Sequence, residues 1–155
     1  MQIDEAEELG HSMVAWTESY VTHIEKIDRQ HKKLIALINR LYEACIGASD
    51  IEGAFKKALH EMVEYVRLHF SDEIAFLEKI GYPKAAVADH KRKHDKLVED
   101  ILHAGHRYCS GEAFVPNKFA RTLRDWVLSH IAFDDKAYAI IVARRRRNGE
   151  TIDCE

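Results

Sequence analysis

Two prolines and seven glycines are few for a chain of 155 residues. With so few breakers, long uninterrupted helices have room to form. Cysteine is equally sparse. Cys45, Cys109 and Cys154 are far apart, odd in number and form no Cys-x-x-Cys motif. Reduced thiols, not a disulfide framework, are the expectation. No apolar run is long enough to cross a bilayer, so no membrane association is expected. The start, Met1-Gln2-Ile3-Asp4-Glu5, is acidic and lacks an apolar stretch, so no secretory leader is expected and the location reads as cytoplasmic. Neither sign of charge dominates: 23 basic residues face 26 acidic ones. No overall field points to nucleic acid.

A helical period fills most of the rest. Residues 1–20, with the acidic run Asp4 to Glu8, Gly10 and Trp16, read as an N-terminal arm packed by its aromatics. A first helix is expected over roughly 24–46, with the stripe Ile27, His31, Leu34, Ile35, Ile38, Leu41 and Cys45. Gly47-Ala48-Ser49-Asp50 ends it, and Ser49 or Asp50 can cap the next helix. The second, over roughly 52–80, carries Phe55, Leu59, Met62, Val66, His69, Glu73, Phe76, Leu77 and Ile80 on one face. Gly81 stops it, and Pro83 suits the first turn of a third helix bearing Val87, His90, His94, Leu97, Val98, Ile101 and Tyr108. Gly111 and Pro116 punctuate. A fourth, over about 117–145, carries Phe119, Leu123, Trp126, Val127, His130, Phe133, Ala137 and Ile141.

The expected fold is all-α: an up-down-up-down antiparallel four-helix bundle over 21–147, preceded by the arm and followed by a tail at 148–155 that has no evident assignment. The run Arg144 to Arg147 reads as a solvated helix end whose cations suit the dipole.

The chemistry lies on the apolar stripes. His31, the pair His69 and Glu73, the pair His90 and His94, and His130 with Asp134 or Asp135 all project inward. Residues four apart share a helix face, so each pair points one way. A single histidine on such a face is ordinary core. Glu73 is not: a lone carboxylate among Val66, Phe70, Phe76 and Leu77 costs several kcal/mol unless paired or bound to a cation. No Lys or Arg shares that stripe. Seven candidate donors exceed the four of a zinc site. Two roughly six-coordinate ions need about twelve bonds. Five imidazoles, two bridging carboxylates and a shared oxo or hydroxo supply about eleven, which leaves one position open on one ion of an asymmetric pair.

The run Ile27-Asp28-x-Gln30-His31-Lys32, then His69-x3-Glu73, His90-x3-His94-Asp95, and His130-Ile131-x3-Asp135-Lys136-x-Tyr138, resembles hemerythrin, above all its bacterial branch, bacteriohemerythrin. The resemblance spans roughly Trp16 to Ile141. It implies a non-haem di-iron centre in which His90, His94 and His130 hold one iron, His31 and His69 hold the other, and Glu73 and Asp135 bridge. It further implies reversible O2 binding for storage, delivery or sensing, with an oxygenase or a signalling protein as partner, in a monomer that is not an enzyme. Leu34, Phe70, Trp126, Val127 and Ile131 lie a turn or less from a ligand, and the resemblance makes them walls of the O2 pocket.

On an ideal helix Asp134, four residues after His130, would face the metal, and Asp135 would lie about 140° away. The family pattern selects Asp135, and a local π-type widening would reconcile the two. The competing classes are a di-iron oxidase or peroxidase and an iron-storage module. The oxidase reading calls for Glu-x-x-His pairs, and only Glu8-x-x-His11 has that spacing, without a mate. The storage reading calls for exposed ligands, whereas these fall on apolar stripes. His60-Glu61 begins a zinc-protease motif that fails, because Glu64 stands where the second His is needed. His11, His23, His60, His103 and His106 fall outside the set, and His23 and His60 read as exposed.

Overall fold

A computed structural model of the chain describes residues 14–46, 49–109 and 116–153. The acidic run, His11, Gly47-Ala48, Gly111 and Cys154 lie outside the described residues. The elements are a 3-10 turn (Glu18–Tyr20), α1 (Glu25–Ile46), α2 (Ile51–Lys79), α3 (Lys84–Cys109), α4 (Pro116–Ser129), a π-helical segment (His130–Asp135) and α5 (Lys136–Arg147). The last three run on as one rod. The molecule is an antiparallel four-helix bundle, in which α1 packs on α2 and α4, and α2 packs on α3.

The order of residue types along each rod shows the alternation. One apolar cluster holds Leu34, Leu41, Phe55, Val66, Leu97, Ile101, Leu123 and Val127. A second holds Ile24, Ile27, Phe76, Leu77, Val87, Tyr138 and Val142. Chain direction takes α1 from the second cluster to the first, α2 back, α3 forward and the last rod back. Between the two clusters every rod presents polar side chains. Those side chains are a buried polar layer, with apolar packing above and below it.

Local chemistry sets the ends. Asp50 caps α2, accepting from the Gly53 N–H at 3.0 Å. Asp28 folds back over the start of α1 and accepts from Thr22 N–H, Thr22 O–H and His23 N–H. Pro83 stands just before α3, its carbonyl accepting from Val87 N–H at 3.0 Å. After α2 the chain turns through Gly81 at φ 69°, with Tyr82 N–H donating to Leu77 O at 2.9 Å. A Cβ at Gly81 would meet nothing within 4 Å, so Gly81→Ala meets backbone strain only. The expected cost is about 1–2 kcal/mol, read as a fall of a few degrees in Tm at about 2–4 °C per kcal/mol.

Two sequence expectations change. The stripe of the fourth helix holds only as far as His130. Phe133 is 75% exposed and Ala137 is exposed, while Asp135, Tyr138, Ala139 and Val142 are buried. The π segment is the reason. Its extra residue per turn, seen in the Lys136 N–H bond to Ile131 O, rotates everything downstream. The arginine run is not simply solvated. Arg145 donates to Ile80 O at 2.6 Å and forks onto Glu150, and Arg146 donates to His23 O and Ile152 O. The Arg145 guanidinium occupies the Ile80 carbonyl at the end of α2, one of those a helix C-terminus leaves without a partner. Both arginines also dock the tail, whose Ile152 packs on the second cluster. Of the arm, Val14 and Asn39 exchange hydrogen bonds and Lys32 sits 5.1 Å from the Trp16 ring centroid, against α1, while the 3-10 turn packs on the π segment.

Cys45 is a free thiol. Among the described residues no helix is long and apolar enough to cross a membrane.

Candidate metal centre

α1 brings His31, α2 brings His69 and Glu73, α3 brings His90 and His94, and the π segment brings His130 and Asp135. All seven side chains are buried; His31, Glu73 and Asp135 are wholly so. The π segment separates two adjacent carboxylates. Asp135 turns inward, while Asp134 stays at the bundle edge with a side chain 31% exposed.

The inward atoms converge. Glu73 Oε2 lies 2.9 Å from His94 Nε2 and 3.0 Å from His90 Nε2, and Glu73 Oε1 lies 4.0 Å from His31 Nε2. Asp135 Oδ1 lies 3.0 Å from His90 Nε2 and 3.1 Å from His130 Nε2, and its Oδ2 lies 3.0 Å from His31 Nε2. Each carboxylate therefore turns one oxygen to His90 and its neighbours and the other to His31. Two donor sets result, Glu73–His90–His94–His130 and His31–His69–Glu73–Asp135, with donor atoms within 4.8 Å of one another.

Many of these approaches do not satisfy hydrogen bonding. His94 Nε2 and His130 Nε2 face each other at 2.9 Å, two nitrogens of which only one can carry the proton between them. Both ring nitrogens of His31, Nδ1 of His94 and both Asp135 oxygens are buried without a hydrogen-bond partner. Orphaned buried donors and acceptors cost about 1–3 kcal/mol each. A cation at the centre of each set would satisfy the inward ones among them, His31 Nε2 and the Asp135 oxygens, and nitrogen with carboxylate oxygen suits a first-row transition ion. The residues fit a pair of metals.

The electrostatics agree. Burial pushes the Glu73 carboxyl up and Asp135 adds to that, yet hydrogen bonds from His90 and His94 outweigh both and hold it below the usual range. Burial likewise opposes ionisation of Asp135, but the charge on His130 and the nearby rings of His31 and His90 hold it well below. His90, although burial disfavours its charge, is raised to about 10 by Asp135 and Glu73. Burial lowers His69 to about 4, against the pull of Glu73. Two buried carboxylates thus demand positive charge, which protons on imidazole supply in default of metal.

Around the centre, Tyr138 O–H donates to Glu73 Oε1 at 2.5 Å. His69 Nδ1 lies 2.8 Å from Gln30 Oε1, and the Gln30 amide donates to Asp72 at 2.7 Å. Asp134 Oδ2 lies 3.1 Å from His130 Nδ1. Sequence reasoning assigned no role to Gln30, Tyr138 or Lys93. For Gln30 and Tyr138 the signal was position, one residue before His31 and three after Asp135. For Lys93 there was none, since its partner Asp134 is 41 residues away.

On one side the centre meets rings. Phe70 stacks on His94 with centroids 3.6 Å apart at 2°, and Trp126 stacks on His130 at 4.9 Å and 10°. Leu34, Val127 and Ile131 are buried in the same apolar cluster, and Trp126 packs against it. His23, His60, His103 and His106 are exposed and take no part.

The family model for the hemerythrin HHE cation binding domain matches residues 22–139. The chain belongs to the hemerythrin family. It is 33% identical to the bacteriohemerythrin of Methylococcus capsulatus over 82% of this chain and 95% of that one. It is 30% identical to the bacteriohemerythrin of Stenotrophomonas maltophilia, covering 83% and 80%. Among solved structures, wild-type hemerythrin aligns with a TM-score of 0.73 at 31% identity, covering 82% of this chain and 95% of that one. The match takes in all seven inward donors and stops short of Arg144 and the docked tail.

Proposed function

We propose that this hemerythrin-family chain binds O2 reversibly at two irons held by His31, His69, Glu73, His90, His94, His130 and Asp135. The unit that carries the centre is 21–147, with 1–20 as an arm and 148–155 as a tail. One observation carries the reading: each buried carboxylate turns one oxygen to each donor set, which is the arrangement of a bridge. Three imidazoles serve one set and two serve the other. The His31–His69 side is therefore one protein ligand short, room for a small molecule. Bound iron supplies the electrons that O2 takes up reversibly.

The protein's own contribution is placement and exclusion of water. Gln30 orients His69, Tyr138 holds Glu73, and Leu34, Phe70, Trp126, Val127 and Ile131 wall the centre with apolar surface. A histidine-rich donor set in a dry pocket favours binding over catalysis. The reading covers storage, delivery to an oxygenase and sensing alike, because each needs the same reversible step.

The test is elemental analysis with visible absorption. The purified protein should carry about two irons per chain, by the bond count above. Reduced protein should gain a charge-transfer band in air and lose it under argon. One zinc and no iron, or a band that argon does not remove, overturns the reading; the second result is what an oxidase would give.

The walls make a further prediction. Val127 is 3% exposed, and Val127→Ala opens its side of the pocket at about 1–3 kcal/mol of packing. The variant should keep its iron and its band, but the band should decay faster in air as water enters. An unchanged decay rate at fixed pH in a folded, iron-loaded variant would reduce Val127 to plain core.

A further inference from the structure

The two neighbouring carboxylates of the π segment have different duties. Asp135 faces the centre. Asp134 stands behind His130, its Oδ2 3.1 Å from Nδ1 and its Oδ1 2.6 Å from Lys93 Nζ on α3. The other ring nitrogen, Nε2, points inward to His94 and Asp135. If the inner nitrogen holds metal, the outer one carries the proton and donates it to Asp134. A ligand imidazole that donates to a carboxylate is locked in one tautomer and orientation and becomes a stronger donor. The remaining rings differ. His69 has the neutral amide oxygen of Gln30 at that place, and Nδ1 of His31 and of His94 has no partner.

The sign of the effect follows from charge. A carboxylate behind a ligand favours the more positive state of the ion in front. Lys93 opposes this from outside, and its own surroundings include Asp89 at 3.4 Å, which Arg92 also pairs. Asp134 and Lys93 are partly exposed, with side chains 31% and 40% accessible. Both can therefore be changed with little loss of packing.

We infer that Asp134 is a positioning residue that orients His130 and stabilises the ferric over the ferrous state of the iron beside it, and that Lys93 tempers this by partly neutralising Asp134. The inference rests on the di-iron reading above.

The test uses the full chain loaded with iron, as wild type, Asp134→Asn and Lys93→Met. The readouts are the midpoint potential, from spectroelectrochemical titration under argon, and the rate of iron loss to a ferrous chelator. Asparagine keeps an oxygen that accepts from Nδ1–H but removes the charge. Loss of such a partner typically costs about 10–100-fold in metal affinity. Taking the ferric state to lose about tenfold relative to the ferrous, the potential of Asp134→Asn rises by about 59 mV for one electron, and iron is lost about tenfold faster. Lys93→Met, which leaves the Asp134 charge unopposed, shifts the potential the other way. Opposite signs are not the result of mere loosening, which moves both variants alike. Unshifted potentials, or shifts of one sign, overturn the inference while the iron-loaded wild type keeps the di-iron reading intact. A wild type that loads no iron overturns both. Should Asp134→Asn fail to hold iron, the sign of the Lys93→Met shift decides alone.

Discussion

Glu73→Ala is expected to lose most of the bound iron and to unfold roughly 10 °C or more below the iron-loaded wild type. Glu73 is fully buried and belongs to both donor sets. Its removal takes a donor from each. Metal binding is folding free energy when the unfolded chain has no site, so weaker binding appears directly as lower stability. A second loss follows within the protein. Tyr138 O–H, His90 Nε2 and His94 Nε2 all address this carboxylate, and each is left facing a gap. Breaking a buried ionic pair from one side costs about 3–5 kcal/mol, and about 2–4 °C accompanies each kcal/mol in a chain of this size. Glu73→Gln separates the two losses. It keeps the volume and an oxygen for Tyr138 but lacks the charge, so metal-free Glu73→Gln should melt nearer to metal-free wild type than Glu73→Ala does, while still holding little iron. Elemental analysis and thermal unfolding with and without chelator measure both. A Glu73→Ala protein that keeps two irons and its Tm would show that Glu73 is no bridge.

Asp135→Ala should abolish the band that air produces, whereas Asp134→Ala should retain both irons and the band, at a raised potential. The two residues are adjacent, both are aspartates and both lie near His130, so composition cannot separate them. Their surroundings do. Asp135 is wholly buried, with an oxygen 3.0 Å from His31 and another 3.0 Å from His90. Asp134 reaches only the outer nitrogen of His130 and the Lys93 ammonium. Losing Asp135 leaves the His31–His69 side with Glu73 as its single carboxylate, which is the side where O2 would bind. Side-by-side absorption spectra of the two reduced variants after air are decisive. A band kept by Asp135→Ala and lost by Asp134→Ala would reverse the assignment.

Much of this was legible in the chain. The 3–4 spacing from Ile27 to Leu41 and from Phe55 to Ile80 marks two helices whose stripes are buried as expected, and Gly81 marks where the second stops. The burial of His31, His69, Glu73, His90, His94 and His130 follows from their places on those stripes. The last rod was legible only as far as His130. Phe133 and Ala137 continue an ideal 3.6-residue period, yet they face solvent. Nor does the arginine run announce that Arg145 reaches Ile80 O, 65 residues away, or that Arg146 reaches His23 O, 123 away. The carbonyls they meet lie where α2 ends and just before α1 begins.

By itself, then, the sequence determined the four rods, their inward faces as far as His130 and the kinds of donor on them, because helical period and residue chemistry are local properties. Tertiary structure decided which donors come together, which carboxylate enters the centre and which stands behind His130. The reason is geometric. One extra residue in a turn rotates all that follows by about 100°, and the local pattern around His130 reads equally well with or without it. What makes the π turn the better choice is visible only in three dimensions. It carries Asp135 to the ring nitrogens of His31, His90 and His130, delivered from three different rods, and leaves Asp134 within reach of Lys93.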